Sequence, residues 1–368
     1  MKNRRYLAPM VLLLFAFVLR NYLYSGEALT GNDGACWKGT SRHEMERLKN
    51  LQSRYKPEEF LEGPGLEAAS SASDNRVACK FVLDERTAHF PHAMQQFYRC
   101  ISWFFANEDK EPFIILDKRY PITTPFIQGI IEIMRDAMKV KIVRFRVDLQ
   151  VVRGTQTYDW DEQHSFAMRG PEDAKKFQKI ALDHFNIPET NASSCRAPRI
   201  GILNRKGTRV LRNVGRLVTM LEHKLENSET APDARVRVMT FEEQPFDRQL
   251  EFLSTTDILV SPHGAQLSGL PFLPHCAQVL EVFPLGYLTP AFFGSLAAVS
   301  GVEHAYLYLG SHSLQNLSAQ KAELKKHMAS LETREAARAA NLCPDPEVMV
   351  RAVQQLLGQW QRCCWAGR

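Results

Sequence analysis

From Arg76 onward, short apolar runs alternate with amphipathic stretches, and this alternation restricts the fold more than any other feature of the chain. A strand buried on both faces reads as a continuous apolar run, and the helix that returns the chain reads with a period near 3.6. FIILD at 113–117, KIVRFRV at 141–147, PRIGILNR at 198–205, RVRVMTF at 235–241, DILVS at 257–261, AQVLEVFP at 277–284 and HAYLYLG at 304–310 read as strands. Phe90, Met94, Phe97, Ile101 and Phe104, at steps of four, three, four and three, predict a helix over 89–105. Further helices are expected over 125–138, 171–185, 213–225, 246–253, 288–300 and 346–360, with 318–340 a charged, solvent-facing helix and 153–170 polar and irregular. Two such strand–helix series imply two Rossmann-like, parallel-sheet α/β domains with a boundary near 190–197. Open parallel sheets bind ligands beyond the carboxyl ends of their strands, which for a pair of domains is the cleft between them.

The N-terminus speaks to compartment. Lys2, Arg4 and Arg5 precede an apolar run from Tyr6 to Leu19, shorter than the roughly 20 residues of a bilayer span. Arg20 can snorkel, and Tyr22, Leu23 and Tyr24 extend the apolar surface. A cleaved signal peptide and an uncleaved signal anchor both fit; Arg20 and Tyr24 suit a cleavage site at Gly26–Ala28 poorly, which favours the anchor. Either reading puts the body in the secretory lumen. There Asn191-Ala-Ser193 and Asn316-Leu-Ser318 are glycosylation acceptors, and some of the eight cysteines should pair. Cys276, inside an apolar motif, reads as a buried thiol. The chain divides into 1–28 (cytoplasmic stub and anchor), 29–75 (a stem with a Pro/Gly/Ser-rich linker), 76–195, 196–345, and 346–368 (a closing helix and tail). A net charge of +5, without an RNP1-like motif or zinc-finger spacing, gives no reason to expect nucleic acid as a partner.

Four groups of residues could carry chemistry. Arg199, Arg205, Lys206, Arg209, Arg212 and Arg216 crowd a strand end and the following helix start, with Gly207 allowing a tight turn. That is where backbone N–H groups and planar guanidinium forks suit a phosphate, although a solvated basic surface gives the same pattern. Ser261-Pro-His263-Gly264-Ala265 follows an apolar strand; Gly264 and Ala265 let a ligand approach the backbone. His263 could donate to a diphosphate, move a proton or be structural. Glu281, flanked by Leu280, Val282 and Phe283, could accept from a ribose or pair with an arginine. His89 and His92 open the first helix as a general base or as capping and packing groups. Asp159-Trp-Asp161 is a short pattern for a nucleotide-bound metal, with nothing beside it to strengthen it.

The stretch from Thr240 to Pro284 resembles glycosyltransferase family 61 in its Phe/Glu-Gln segment, apolar strand, HGAxL, FLP-type segment and VxEVFP-like strand. NRKGTRVLRN at 204–213 is similar to the family's arginine-bearing loop, and HFPHAMQQ at 89–96 to its His-bearing helix. The resemblance implies a two-domain GT-B fold, inverting chemistry and no required metal, which argues against Asp159 as a ligand. It implies a sugar (pentose or N-acetylglucosamine) moved from a UDP-sugar, with no further cofactor, to a glycan or protein hydroxyl. The enzyme would be a single-pass type II membrane protein of the Golgi or endoplasmic reticulum. Residues 196–345 would bind the nucleotide-sugar and 76–195 face the acceptor. Arg205, with Lys206 or Arg209, would neutralise the leaving diphosphate; His263, Gly264 and Ala265 would cradle it; Glu281 would orient the ribose; His92 would be the base. After HGA the family often has Gly and then Leu-Thr-Asn, where this chain has Gln266, Leu267, Ser268 and Gly269. That departure keeps a second reading open, a non-catalytic carbohydrate-binding protein on a degenerate transferase fold.

Overall fold

Two parallel sheets carry the chain, as two apolar series require. The computed structural model describes residues 75–366 apart from 82–88, 118–119, 121, 146–155, 160–167, 190–194, 196, 227–230, 232, 310–324 and 327–328. The anchor, nearly all of the stem, Asp161, Asn191 and Asn316 lie outside the described residues. Among those described, no helix is long and apolar enough to cross a membrane.

The first sheet has four strands in the order β3-β2-β1-β4: β1 (Arg76–Phe81), β2 (Glu111–Asp117), β3 (Lys141–Phe145) and β4 (Gln156–Asp159). The second has five in the order β6-β5-β7-β8-β9: β5 (Arg199–Asn204), β6 (Arg235–Thr240), β7 (Ile258–Pro262), β8 (Gln278–Phe283) and β9 (Glu303–Tyr308). Every pairing is parallel. This is the two-sheet α/β architecture of the GT-B type. β4 corrects the expectation of irregular chain over 153–170: it is short and polar and pairs with β1 alone, so no apolar run marks it.

The helices are α1 (Phe90–Phe105), α2 (Pro125–Glu132), α3 (Pro171–His184), α4 (Val214–Glu226), α5 (Phe246–Ser254), α6 (Pro290–Val299), α7 (Leu331–Ala339) and α8 (Pro346–Ala366). Thr124 caps α2, its Oγ1 accepting from Ile127 N at 3.2 Å, and Pro125 fits the first turn. The expected helix to Met138 instead widens into a π turn at Ile133–Ala137, which keeps both Ile133 and Met134 in the core.

The two sheets share one apolar core. Phe126 of α2 packs edge-on against Phe246 of α5 at 5.2 Å, and Phe272 lies 5.8 Å from Phe246 and 5.5 Å from Phe177 of α3. Such pairs contribute about 0.5–1.5 kcal/mol each beyond burial. Gly129 of α2 makes this possible, because a Cβ there would sit inside Phe246. A second core lies under α4 and α8, where Val353, Leu356 and Trp360 cover the second sheet. Two disulfides fasten α8, Cys195–Cys364 and Cys276–Cys363, and a third joins Cys79 of β1 to Cys100 of α1. Cys276 is therefore a bridge partner and not a buried thiol.

Candidate functional site

β5, β7 and β8 are parallel neighbours, so the segments leaving them emerge along one edge of the second sheet. Glu281 stands opposite Ser261 near the end of β8, and His263 N donates to Val282 O at 2.9 Å, extending the ladder by one residue. Glu281 is 0% exposed. Its Oε1 lies 2.6 Å from His263 Nδ1 and its Oε2 2.8 Å from Nε2 of His304, on β9. An ionised carboxylate only accepts, so the network assigns a proton to each of these ring nitrogens. Burial pushes the Glu281 carboxyl up, but the hydrogen bonds and charges of the two histidines outweigh it and hold the group below its ordinary range. Burial pushes His263 down against the pull of Glu281, so its imidazole is neutral at pH 7 and its free nitrogen is Nε2. The ring stacks on Phe283 at 4.9 Å and is flanked by Tyr287 and Phe293 at 5.3 and 5.5 Å.

This geometry corrects the role expected for Glu281. With no exposed surface and both oxygens taken by imidazoles, it orients His263 and reaches neither a ribose nor an arginine. His304 escaped the sequence reading because it sits inside an apolar strand with no motif around it.

β5 runs into the basic loop. Asn204 clamps the loop, donating from Nδ2 to Leu211 O (3.1 Å) and accepting from Leu211 N (2.9 Å). Gly207 (φ +80°) and Arg209 (φ +57°) take left-handed conformations that turn the chain back on itself. Arg209 ends 8% exposed, and Arg205 is half-buried. Neither side chain makes a hydrogen bond or ion pair with another described residue, and Nε of both, with Nη1 of Arg205, is buried without a partner. Burial, then the charges of Arg205 and Arg338, push Arg209 down to about 10. Burial pushes Arg205 down as well, opposed by the charge of Glu242. Both stay cationic at pH 7, and a buried cation without a counterion costs several kcal/mol. Gly264 lets Arg205 lie against the loop after β7: a Cβ there would fall inside 3.0 Å of Arg205 Nη1 and meet Gln266 Oε1 at 2.5 Å. Ala265 opens a 3₁₀ helix, Ala265–Phe272. Gln266 braces the turn, donating from Nε2 to Ser261 Oγ (3.0 Å) and Pro262 O (2.9 Å), so its departure from the family pattern has a structural use.

Two of the other basic residues, Lys206 and Arg199, separate from this pair. Lys206 is exposed, with its ammonium 3.2 Å from Glu243 and its backbone N–H donating to Glu242. Arg199 lies at the opposite end of β5 in a bidentate pair with Asp257 (2.9 and 2.8 Å). The sequence shows no acid within the basic run; the chain after β6 supplies two.

On the first-sheet side, His89 is exposed and does not cap α1 with its side chain. His92 lies 2.9 Å from Gln95 Oε1 through Nδ1, and its ring packs edge-on against Phe292 of α6 at 5.4 Å. Phe292 packs on Phe293 at 4.9 Å, and Phe293 on His263. Phe292 and Phe293 thus link histidines of the two α/β units through a chain of ring contacts. The 3₁₀ helix is locked to the first unit by Tyr98, whose hydroxyl donates to Ser268 O (2.5 Å), and by Gln178, donating to Phe272 O (2.8 Å). Glu132, Asp136 and His184 also cluster within 4.8 Å, but Asp136 is engaged bidentately by Arg135 on open surface, which suits a metal poorly.

Comparison with known proteins matches the family model described as Glycosyltransferase 61 to residues 89–280. The chain is 29% identical over 137 residues to a Protein O-linked-mannose beta-1,4-N-acetylglucosaminyltransferase 2 of Tetraodon nigroviridis, covering 36% of this chain and 22% of that protein. It is 38% identical over 77 residues to the protein of that name from Danio rerio, covering 20% of this chain and 13% of the relative. The matched stretch is thus less than a quarter of the length of either relative. A glycosyl transferase family 9 crystal structure from Veillonella parvula superposes over 79% of this chain and 100% of that one, with a TM-score of 0.37 and 10% identity.

Proposed function

The chain belongs to glycosyltransferase family 61, and from that premise we propose that it transfers a sugar from a UDP-sugar to a hydroxyl of a glycan or glycoprotein in the secretory pathway, with inversion and with fixed arginines in place of a metal. The observation that carries this reading is the pair Arg205–Arg209 beside His263, with buried guanidinium nitrogens that no described residue hydrogen-bonds. Two guanidiniums held at a strand's carboxyl end without an ion-pair partner among the described residues are a site whose cost an anion lowers. A diphosphate leaving group supplies that anion, and its charge grows as the bond to the sugar breaks, which is when preformed positive charge lowers a barrier.

In the displacement, the acceptor oxygen attacks the anomeric carbon, its proton passes to a base, and the anomeric C–O bond to the diphosphate breaks with its electron pair leaving on UDP. His92 is the base of this proposal, for it approaches from the acceptor side on α1. His263, oriented by Glu281 and His304, presents Nε2 to the diphosphate, and Gly264 and Ala265 offer backbone there. Titrating the full chain with UDP and a panel of UDP-sugars, with Arg205→Ala as control, tests the reading. Binding of UDP lost in folded Arg205→Ala, together with UDP release on adding an acceptor, supports it. A folded protein that binds no nucleotide refutes it in favour of a carbohydrate-binding module.

A further inference from the structure

Helix α7 lies wholly beyond the 89–280 stretch that matches the family model, yet the fold lays it over the site. A capping box starts it: Ser330 Oγ accepts from Thr333 N at 3.1 Å, and Thr333 Oγ1 accepts from Ser330 N at 3.3 Å. Its buried residue, Ala337, packs with Phe283, Tyr287 and Tyr308, two of which flank the His263 ring. After the helix the chain runs beside the basic loop. Ala339 O accepts from Arg209 N (3.3 Å), Leu342 pairs with Leu211, and Pro344 O accepts from Asn213 Nδ2 (3.1 Å). Arg338, between Ala337 and Ala339, is thereby held next to Arg209. Its charge is felt by Arg205, Arg209 and His263 alike. Its ion-pair partner, Glu335, lies one turn back on the exposed face at 3.2 Å, and both side chains are more than a third exposed.

A nucleoside diphosphate carries about three negative charges near pH 7, one more than Arg205 and Arg209 together neutralise. We infer that Arg338 is a third diphosphate ligand, which gives the site its preference for a diphosphate over a monophosphate, and that Glu335 competes with the ligand for it. The exposed Arg338–Glu335 pair is weak by itself, so exchanging Glu335 for a phosphate costs little. The inference rests on the reading that Arg205 and Arg209 bind a diphosphate, and it assigns a residue outside the matched stretch to that site.

Calorimetric titration of the full chain with UDP, inorganic pyrophosphate and UMP tests it. Arg338→Ala is expected to weaken UDP and pyrophosphate about tenfold and UMP about twofold or less. Glu335→Gln, which frees Arg338 without touching the fold's interior, is expected to tighten pyrophosphate about threefold. Should Arg338→Ala not fold, as judged by its melting curve, Glu335→Gln decides alone. UDP binding abolished by Arg205→Ala but unchanged in both α7 variants overturns this inference and leaves the wider reading standing. Equal weakening of UMP and UDP by Arg338→Ala also overturns it. Wild-type protein that binds neither UDP nor pyrophosphate overturns both.

Discussion

Gly264→Ala isolates the anion site from the fold. Gly264 has an extended backbone (φ 167°, ψ 172°) that alanine adopts without strain, so the effect comes from one added methyl group. That methyl would lie inside 3.0 Å of Arg205 Nη1, whereas ordinary contact begins at 3.4 Å. The guanidinium must retreat by about 1 Å, enough to break a hydrogen bond formed at about 2.9 Å. Losing one charge-assisted bond to phosphate costs about 1.5–3 kcal/mol, or roughly 10- to 150-fold in affinity. Gln266 Oε1 must also shift, at a cost of about 1 kcal/mol or less of the brace that its amide makes to Ser261 and Pro262. The expected result is a UDP dissociation constant at least tenfold weaker by calorimetry, with a melting temperature lower by only a few degrees. A folded Gly264→Ala protein with wild-type UDP affinity would refute the placement of Arg205 in the ligand site. Unfolding would show instead that the Arg205–Gly264 contact is structural.

Glu281→Ala strands two buried imidazoles around a void and should cost about 3–5 kcal/mol in chemical denaturation, while Glu281→Gln should cost less and still impair turnover. Stability should fall as pH drops below 6.5: the unfolded His263 takes up a proton there, and the folded one, its pKa depressed by burial, does not. His263→Gln should flatten that limb of the denaturant midpoint against pH, whereas Glu281, held below its ordinary range, adds its loss only in stronger acid. If His263 donates to a phosphate through Nε2 it must be protonated, so UDP binding should take up a proton and weaken as pH rises, measurable as a buffer-dependent binding enthalpy. Gly129→Ala should lower stability by about 1–3 kcal/mol through overpacking at Phe246, with UDP affinity retained in the folded fraction.

The elements that were legible are those whose own residues do the packing. The Phe90–Phe104 spacing falls on α1, which is buried on every side from Ala93 to Phe105, and DILVS falls on β7, buried on both faces. β4 was illegible since a polar edge strand takes its definition from its neighbour, here Val77 to Lys80. Arg205 and His263 stand out because each follows directly from a strand end, and Arg209 because it lies in the basic loop that begins there. The split among the basic residues could not be read: Lys206 is drawn off by Glu243, and Arg199 by Asp257 at the far end of β5, through contacts distant in sequence. His304 and Arg338 enter the cluster by the same route, one from an ordinary apolar strand and one from a charged helix. A carboxylate in an apolar strand marks Glu281 in the sequence, but its partners are histidines that only the sheet order brings beside it.

The adjacent cysteines of α8 have a consequence for the order of biosynthesis. Cys363 reaches back 87 residues and Cys364 reaches back 169, so neither bridge can close until both ends have been translated. All five strands of the second sheet are therefore translated before either of these two bridges can form, and Cys195 and Cys276 wait for α8 to dock. Two thiols side by side also offer a mispaired alternative, Cys195 to Cys363 and Cys276 to Cys364, that differs from the native pairing by one residue of helix rotation. Correct pairing then depends on seating Trp360 and Leu356 before oxidation, which makes the docking of this helix the step at which thiol–disulfide exchange has most to correct.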